Sequence, residues 1–174
     1  MEATKMDALE KLRKLLPEEQ FEKVKAIDNP ELHAFLAEWI EWLEPGKVFV
    51  CTDSEEDEQY VRWKALYYGE EKMLETPNHT VHYDNYYDQA RDKANTKLLV
   101  PGGKEIPFLN TKDREEGLKE IRELMRGVMK GKELFICFFV LGPKNSIFTI
   151  PAVQLTDSAY VAHSEFILYR KGYR

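Results

Sequence analysis

Arg91, at the end of Asp88-Gln89-Ala90-Arg91 and just ahead of an apolar run, is the residue whose chemistry can be stated most sharply. A planar guanidinium offers a carboxylate two parallel N–H donors, which the point charge of a lysine does not copy. At the rim of an α/β sheet such a group would grip a small anionic substrate. Paired with a neighbouring carboxylate, it would be an ordinary surface residue. His79, His82, Asp84 and Asp88 are a second candidate group, with two imidazoles and two carboxylates of the types that ligate zinc or iron. Their polar surroundings read more simply as a surface loop. The acidic run from Asp53 to Glu58 could attract a divalent cation, but carboxylates also belong in the first turn of a helix, beside its positive dipole end.

Other chemistry finds no support. A phosphate-cradling G-x-x-x-x-G-K-[ST] loop needs an early glycine and a final hydroxyl. Gly46, Gly103 and Gly131 each precede lysine, but Val48, Glu105 and Glu133 follow, and Glu41, Leu98 and Arg126 hold the early-glycine positions. There is no G-x-S-x-G, H-E-x-x-H or C-x-x-C. Cys51 and Cys137 lie in separate apolar runs and read as buried thiols of a reducing cytoplasm rather than as a disulfide. The balance of 25 basic against 31 acidic residues, net −6, argues against a nucleic-acid partner. No stretch reaches the roughly 20 apolar residues of a membrane span, and the charged N-terminus is not a signal peptide. With 43% hydrophobic residues, the 174-residue chain can bury a core. The reading is a cytoplasmic domain with neither a nucleic-acid nor a membrane partner.

The elements that would position these residues fall into two regions. Residues 1–46 read as a helical lead-in. Asp7 caps a helix carrying Leu9, Leu12, Leu15 and Leu16, Pro17 opens a second, and Asn29-Pro30 starts a third with Leu32, Leu36, Trp39 and Leu43 inward. Residues 47–174 read as a mixed sheet region. Val48 to Cys51 is a strand, and Ser54 with Asp57 caps a helix to about Tyr68. Thr76 to Asp92 is loop, with a helical turn near Asp88, and Lys97 to Val100 a strand. Thr111 caps a helix with Leu118, Ile121, Leu124 and Met125 inward. Leu134 to Leu141 is a central strand, and Ala152 to Thr156 and Tyr160 to Tyr169 are two more. The fold class is α/β, N-terminal helices followed by a mixed β-sheet flanked by helices. The last run stops at Gly172-Tyr173-Arg174 without a covering element, so the sheet is expected to be incomplete at its C-terminus through truncation, the alternative being a natural end whose open edge pairs in a dimer.

Several segments, in order, resemble the GTP-dependent phosphoenolpyruvate carboxykinases. Val50-Cys51-Thr52-Asp53-Ser54-Glu55-Glu56-Asp57 resembles that family's cysteine-aspartate-glycine-serine-triple-glutamate turn, with Thr52 and Asp53 departing from it. Asp88-Gln89-Ala90-Arg91 resembles its aspartate-x-alanine-arginine segment. Met129-Lys130-Gly131-Lys132 and Leu141-Gly142-Pro143 match its methionine-lysine-glycine and glycine-proline signposts. Leu155-Thr156-Asp157-Ser158-Ala159-Tyr160-Val161 matches its leucine-threonine-aspartate-serine-proline-tyrosine-valine run, with Ala159 in place of proline. The resemblance implies that residues 1–174 are the truncated, substrate-side N-terminal domain of an enzyme that converts oxaloacetate and GTP to phosphoenolpyruvate, carbon dioxide and GDP in gluconeogenesis. It implies that Arg91 binds the substrate carboxylate, and that Lys93 stands where many members carry a glutamate that contacts the lid. GTP and the divalent Mn or Mg would take their ligands from a missing C-terminal catalytic domain. By the same resemblance Cys51 and Cys137 are not the reactive cysteine, and His79 and His82 are not the metal histidine. The competing readings are a free-standing, non-catalytic binding module that reuses the fold, and a small metal-binding protein built on His79, His82, Asp84 and Asp88.

Overall fold

The chain opens with three helices whose limits are set locally. The structure, a computed structural model, describes residues 2–85, 92–93 and 95–174, with side chains from residue 8 onward. Helix α1 (Glu2–Leu15) starts ahead of Asp7, which therefore falls inside it rather than at its cap; Leu12 and Leu16 are buried. Pro17 precedes α2 (Glu18–Lys25). Asn29 caps α3 (Pro30–Leu43) by accepting a hydrogen bond from Leu32 N at 3.0 Å, with proline at the first helical position, where its missing N–H costs nothing. Leu36, Ala37, Ile40 and Leu43 form its buried stripe, and α1 packs on α3.

Strand β1 (Lys47–Val50) follows, and Ser54 caps α4 (Glu55–Tyr67). A short hairpin joins β2 (Lys72–Met73) to β3 (Thr80–Val81). Two compact units can be distinguished, residues 1–82 with 129–174, and residues 83–128. The smaller unit holds β4 (Leu98–Val100), β5 (Thr111–Asp113), which runs parallel to it, and α5 (Arg114–Met125). Asp113, not Thr111, caps α5, accepting from Glu115 N and Glu116 N. The expected inward stripe of that helix is only partly realised, because Ile121 and Leu124 are exposed. Its buried contact is Gly117, where an added Cβ would lie 2.3 Å from Leu99 Cδ2.

In the larger unit β6 (Glu133–Leu141) is the central strand and is buried through Val140, which explains its apolar sequence from Leu134 onward. It pairs parallel with β1 on one edge and antiparallel with β7 (Ile150–Thr156) on the other. The segment from Tyr160 to Tyr169 is not a strand: it is α6 (Ala159–Leu168), capped by Ser158. Ala159 and Ala162, one turn apart, are fully buried against Phe49, Cys51, Phe135, Cys137 and Phe139 of the sheet and Val61 and Ala65 of α4. The small side chains let the helix approach closely, so tertiary packing overrides a β-rich composition. The final strand β8 (Arg170–Lys171) pairs with Val140 and Phe139. Because β7 holds the other edge of β6, β8 must share the edge used by β1. Gly172 allows this, since a Cβ there would lie 2.7 Å from Val140 Cγ2 and 2.8 Å from Phe139 C. The mixed sheet flanked by helices is thus observed.

Candidate functional site

Arg91 and Asp88 lie outside the described residues. Lys93 is described, and its carbonyl accepts from Asn110 Nδ2 at 2.7 Å. The two histidines have separate structural roles. His79 Nδ1 approaches Pro77 O at 3.0 Å, while His82 Nδ1 approaches Glu70 O at 2.6 Å and its ring stacks on Tyr160, centroids 3.6 Å apart. Among the described residues no group of three or more His, Cys, Asp or Glu is gathered to hold a metal.

What the structure does assemble is a pair of strand-to-helix corners, each built from Thr-Asp-Ser. At the first, Thr52 Oγ1 accepts from Ser54 N at 3.2 Å, and Ser54 Oγ accepts from Asp57 N at 3.1 Å. At the second, Thr156 Oγ1 accepts from Ser158 N at 3.1 Å, and Ser158 Oγ accepts from Val161 N at 3.2 Å. Each corner satisfies helix N–H groups that have no intrahelical partner. The acidic run from Asp53 to Glu58 is used the same way. Asp57 accepts from Thr52 N and Thr52 Oγ1 and pairs with Lys23 at 3.3 Å. Asp53 accepts from Tyr173 N and Arg174 N at 3.0 and 3.2 Å, tying the last residues to the first corner.

The second corner adds a carboxylate. Glu70 accepts from Ser158 Oγ at 2.6 Å, Tyr160 N at 2.7 Å and Ala159 N at 3.3 Å, so it sits as a built-in anion at the N-terminus of α6. Glu71 next to it pairs with buried His163 at 2.7 Å. A cleft of about 430 Å³ opens here, lined by Tyr68, Glu70, Lys132, Glu133, Asp157 and Ser158. Its ionised groups are all engaged within the chain. Lys132 pairs with Asp157 at 2.5 Å, and Glu133 receives Lys47 and Lys64, both at 2.9 Å, plus Tyr60 OH and Tyr68 OH. Burial pushes the Glu133 carboxyl up, but the four hydrogen bonds outweigh it and hold it below the usual carboxylate value. The Tyr60 and Glu133 hydrogen bonds hold Lys47 above its usual value. The arrangement sets the geometry of a β–α corner, and the Ser158 hydroxyl and the Glu70 carboxylate are both committed to the start of α6. Of this network Lys132, Asp157 and Ser158 belong to motifs visible in the sequence; Glu70, Glu71, Glu133 and His163 carry no motif of their own, though Glu70-Glu71 follows directly on the helix-ending Gly69.

Two other motifs behind the resemblance, residues 129–132 and 141–143, lie at the turns that begin and end β6. Met129 N donates to Leu43 O, Gly131 has φ +74°, and Gly142, with φ +79°, ends β6. Comparison with known proteins decides the family: residues 34–174 match the model described as the phosphoenolpyruvate carboxykinase N-terminal domain. The chain belongs to that family. It is 88% identical over 168 residues to the phosphoenolpyruvate carboxykinase [GTP] of Thermococcus kodakarensis, which covers 97% of this chain and 27% of the relative. To the enzyme of the same name from Pyrococcus abyssi it is 84% identical over 165 residues, 95% of this chain and 27% of the relative. To that of Chlamydia abortus it is 31% identical over 156 residues, 85% and 25% respectively. The chain therefore corresponds to the N-terminal part of GTP-type carboxykinases and spans about a quarter of these relatives' length. Among the described residues no helix is long and apolar enough to cross a membrane.

Proposed function

We propose that residues 1–174, with their 1–46 helical lead-in and 47–174 sheet region, serve as the substrate-side N-terminal domain of a cytoplasmic GTP-dependent phosphoenolpyruvate carboxykinase. In that reaction oxaloacetate loses carbon dioxide, and the enolate oxygen that remains takes the γ-phosphoryl group of GTP. The observation that carries the reading is family membership across residues 34–174, the span that contains Arg91. Arg91 is given the role of holding the carboxylate of oxaloacetate or phosphoenolpyruvate, and the partner is the remainder of a carboxykinase chain. We assign the ligands of GTP and of a divalent Mn or Mg ion to the part of the relatives that this chain does not span, so no step on this chain runs through them.

One charge-assisted contact contributes about 1.5–3 kcal/mol net, whereas even millimolar binding needs about 4 kcal/mol. The 174-residue chain by itself is therefore catalytically silent. The test pairs two measurements. GTP-dependent release of carbon dioxide from oxaloacetate by the isolated chain is expected not to exceed the spontaneous rate. In a full-length carboxykinase carrying this domain, Arg91→Ala is expected to lower kcat/KM about 100-fold, equivalent to about 2.7 kcal/mol. Unchanged kinetics would reduce Arg91 to a surface residue.

A further inference from the structure

Cys51 and Cys137 are separated by 86 positions, yet the sheet makes them neighbours. The parallel register of β1 with β6 pairs Val50 with Ile136, and Cys51 N continues the ladder by donating to Ile136 O at 2.9 Å. The next residues on the two chains are the cysteines themselves. Both side chains face the core between the sheet and helices α4 and α6, both are buried, and both are free thiols. Cys137 Sγ donates to Cys51 Sγ at 3.6 Å. Parallel neighbours lie about 4.8 Å apart across the sheet, within the roughly 4.4–6.8 Å Cα window that a disulfide spans.

We infer that Cys51 and Cys137 are a disulfide-forming pair, oxidised within one chain by a low-molecular-weight disulfide. Closing the bond brings the sulfurs from 3.6 Å to about 2.05 Å, a small approach for two side chains already on adjacent strands. The chemistry is two successive exchanges. One cysteine, deprotonated, attacks a sulfur of the oxidant, breaking its S–S bond and releasing one small thiolate that takes up the proton. The second cysteine, deprotonated in turn, attacks the protein-bound sulfur of the mixed disulfide and expels the second small thiol. Two protein thiols are oxidised, one small disulfide is reduced to two thiols, and no other reactant is needed.

The environment sets the rate and order of these steps. The hydrogen bond from Cys137 and burial, reinforced by the charge of Asp57 and opposed by Lys23, keep the Cys51 thiol well above its usual value. Exchange must therefore wait for an opening of the β1 edge that admits the oxidant. Once the mixed disulfide exists, the second thiol is already in van der Waals contact, and ring closure outruns escape. The bond would also tie together parts of one folding unit that the chain separates, since residues 1–82 and 129–174 are interrupted by residues 83–128. It joins β1 of the first part to β6 of the second. The inference does not depend on the catalytic role proposed above.

The experiment exposes the purified 174-residue chain to oxidised glutathione or to a dithiol-derived cyclic disulfide, then denatures it and counts thiols. The free thiols are expected to fall from two to none, with a mass loss of two hydrogen atoms. A digest made without reductant is expected to contain one linked peptide pair carrying Cys51 and Cys137, which reductant separates. Cys51→Ala and Cys137→Ala chains, treated identically, are each expected to keep one thiol or end as a stable mixed disulfide. The wild-type count needs no variant to fold, so it stands by itself. Two thiols persisting in the wild-type chain after oxidation in mild urea, stable glutathione adducts at either cysteine, or linkage between chains would each overturn the inference.

Discussion

Replacing Glu133 by glutamine tests the reasoning about the second corner most directly. Glu133 begins β6 opposite Lys47 of β1, and its side chain is only 2% exposed. Its two oxygens receive four donors: Tyr60 OH at 2.7 Å and Lys47 at 2.9 Å on one, Lys64 and Tyr68 OH at 2.9 Å on the other. Glutamine keeps one acceptor and turns an NH₂ against donors that expect an oxygen. The Lys47 side chain is 55% exposed, so water screens its share to at most about 1 kcal/mol. Lys64 is only 12% exposed, and losing its charge-assisted bond costs about 1.5–3 kcal/mol. The expected total is about 3 kcal/mol, or a fall in Tm of about 6–12 °C for a chain of this size. Tryptophan fluorescence during urea and thermal unfolding is a suitable assay, because Trp39, Trp42 and Trp63 all belong to the unit that contains Glu133. Lys47→Met serves as the control and should cost under about 1 kcal/mol.

The same carboxylate fixes a pH dependence. Its folded value lies below the ordinary 4.5 despite the upward push of burial, so its stabilisation is present above about pH 4.5 and is lost as pH falls through the lowered value. For Lys64 burial pulls downward, but the bonds to Glu133 and Tyr68 prevail; it and Lys47 are held above 10.5, so their contribution is full below that value and fades at higher pH. Glu133→Gln should therefore flatten the acid limb of the stability curve. An E133Q chain within about 1 kcal/mol of wild type, or one with an unaltered acid limb, would refute the assignment of Glu133 as the centre of this network.

Glu70→Gln removes the anion from the start of α6 while keeping its shape, and is expected to cost about 1–3 kcal/mol in urea unfolding. Gly172→Ala drives a Cβ into Val140 and the backbone of Phe139, and should destabilise by about 1–3 kcal/mol. Faster amide exchange at Gly172, whose N–H is bonded to Phe138 O at 3.0 Å, would report the release of β8.

Much of the fold was legible because its causes are local. Asn29-Pro30 and Ser54 with Asp57 cap their helices through bonds spanning three residues, so the residues that make the cap are adjacent in sequence. The nine-residue run of β6, apolar after Glu133, could belong only to a buried strand or helix, and its length favoured the strand. The Tyr160–Tyr169 segment went the other way. Its tyrosines, valine, phenylalanine and isoleucine suit a strand, but Ser158 caps it, Glu70 holds its first turn and two alanines seat it on the sheet. Two of those three influences arrive from elsewhere in the chain.

Sequence by itself determined the caps at Asn29 and Ser54, the central strand, the family and the choice of Arg91 as the carboxylate-binding candidate, since each is written in short runs of residues whose chemistry is intrinsic, whereas the caps expected at Asp7 and Thr111 were displaced. Tertiary structure alone decided that Glu133 gathers two lysines and two tyrosines, that Glu70 closes the corner at Ser158, and that Cys51 lies against Cys137. These contacts join residues 86 to 88 positions apart at the cysteines and at Glu70–Ser158. Only the parallel pairing of β1 with β6 and the return of β7 beside it bring them together, and strand pairing at such separations is fixed by the packing of the whole sheet rather than by any local run of residues.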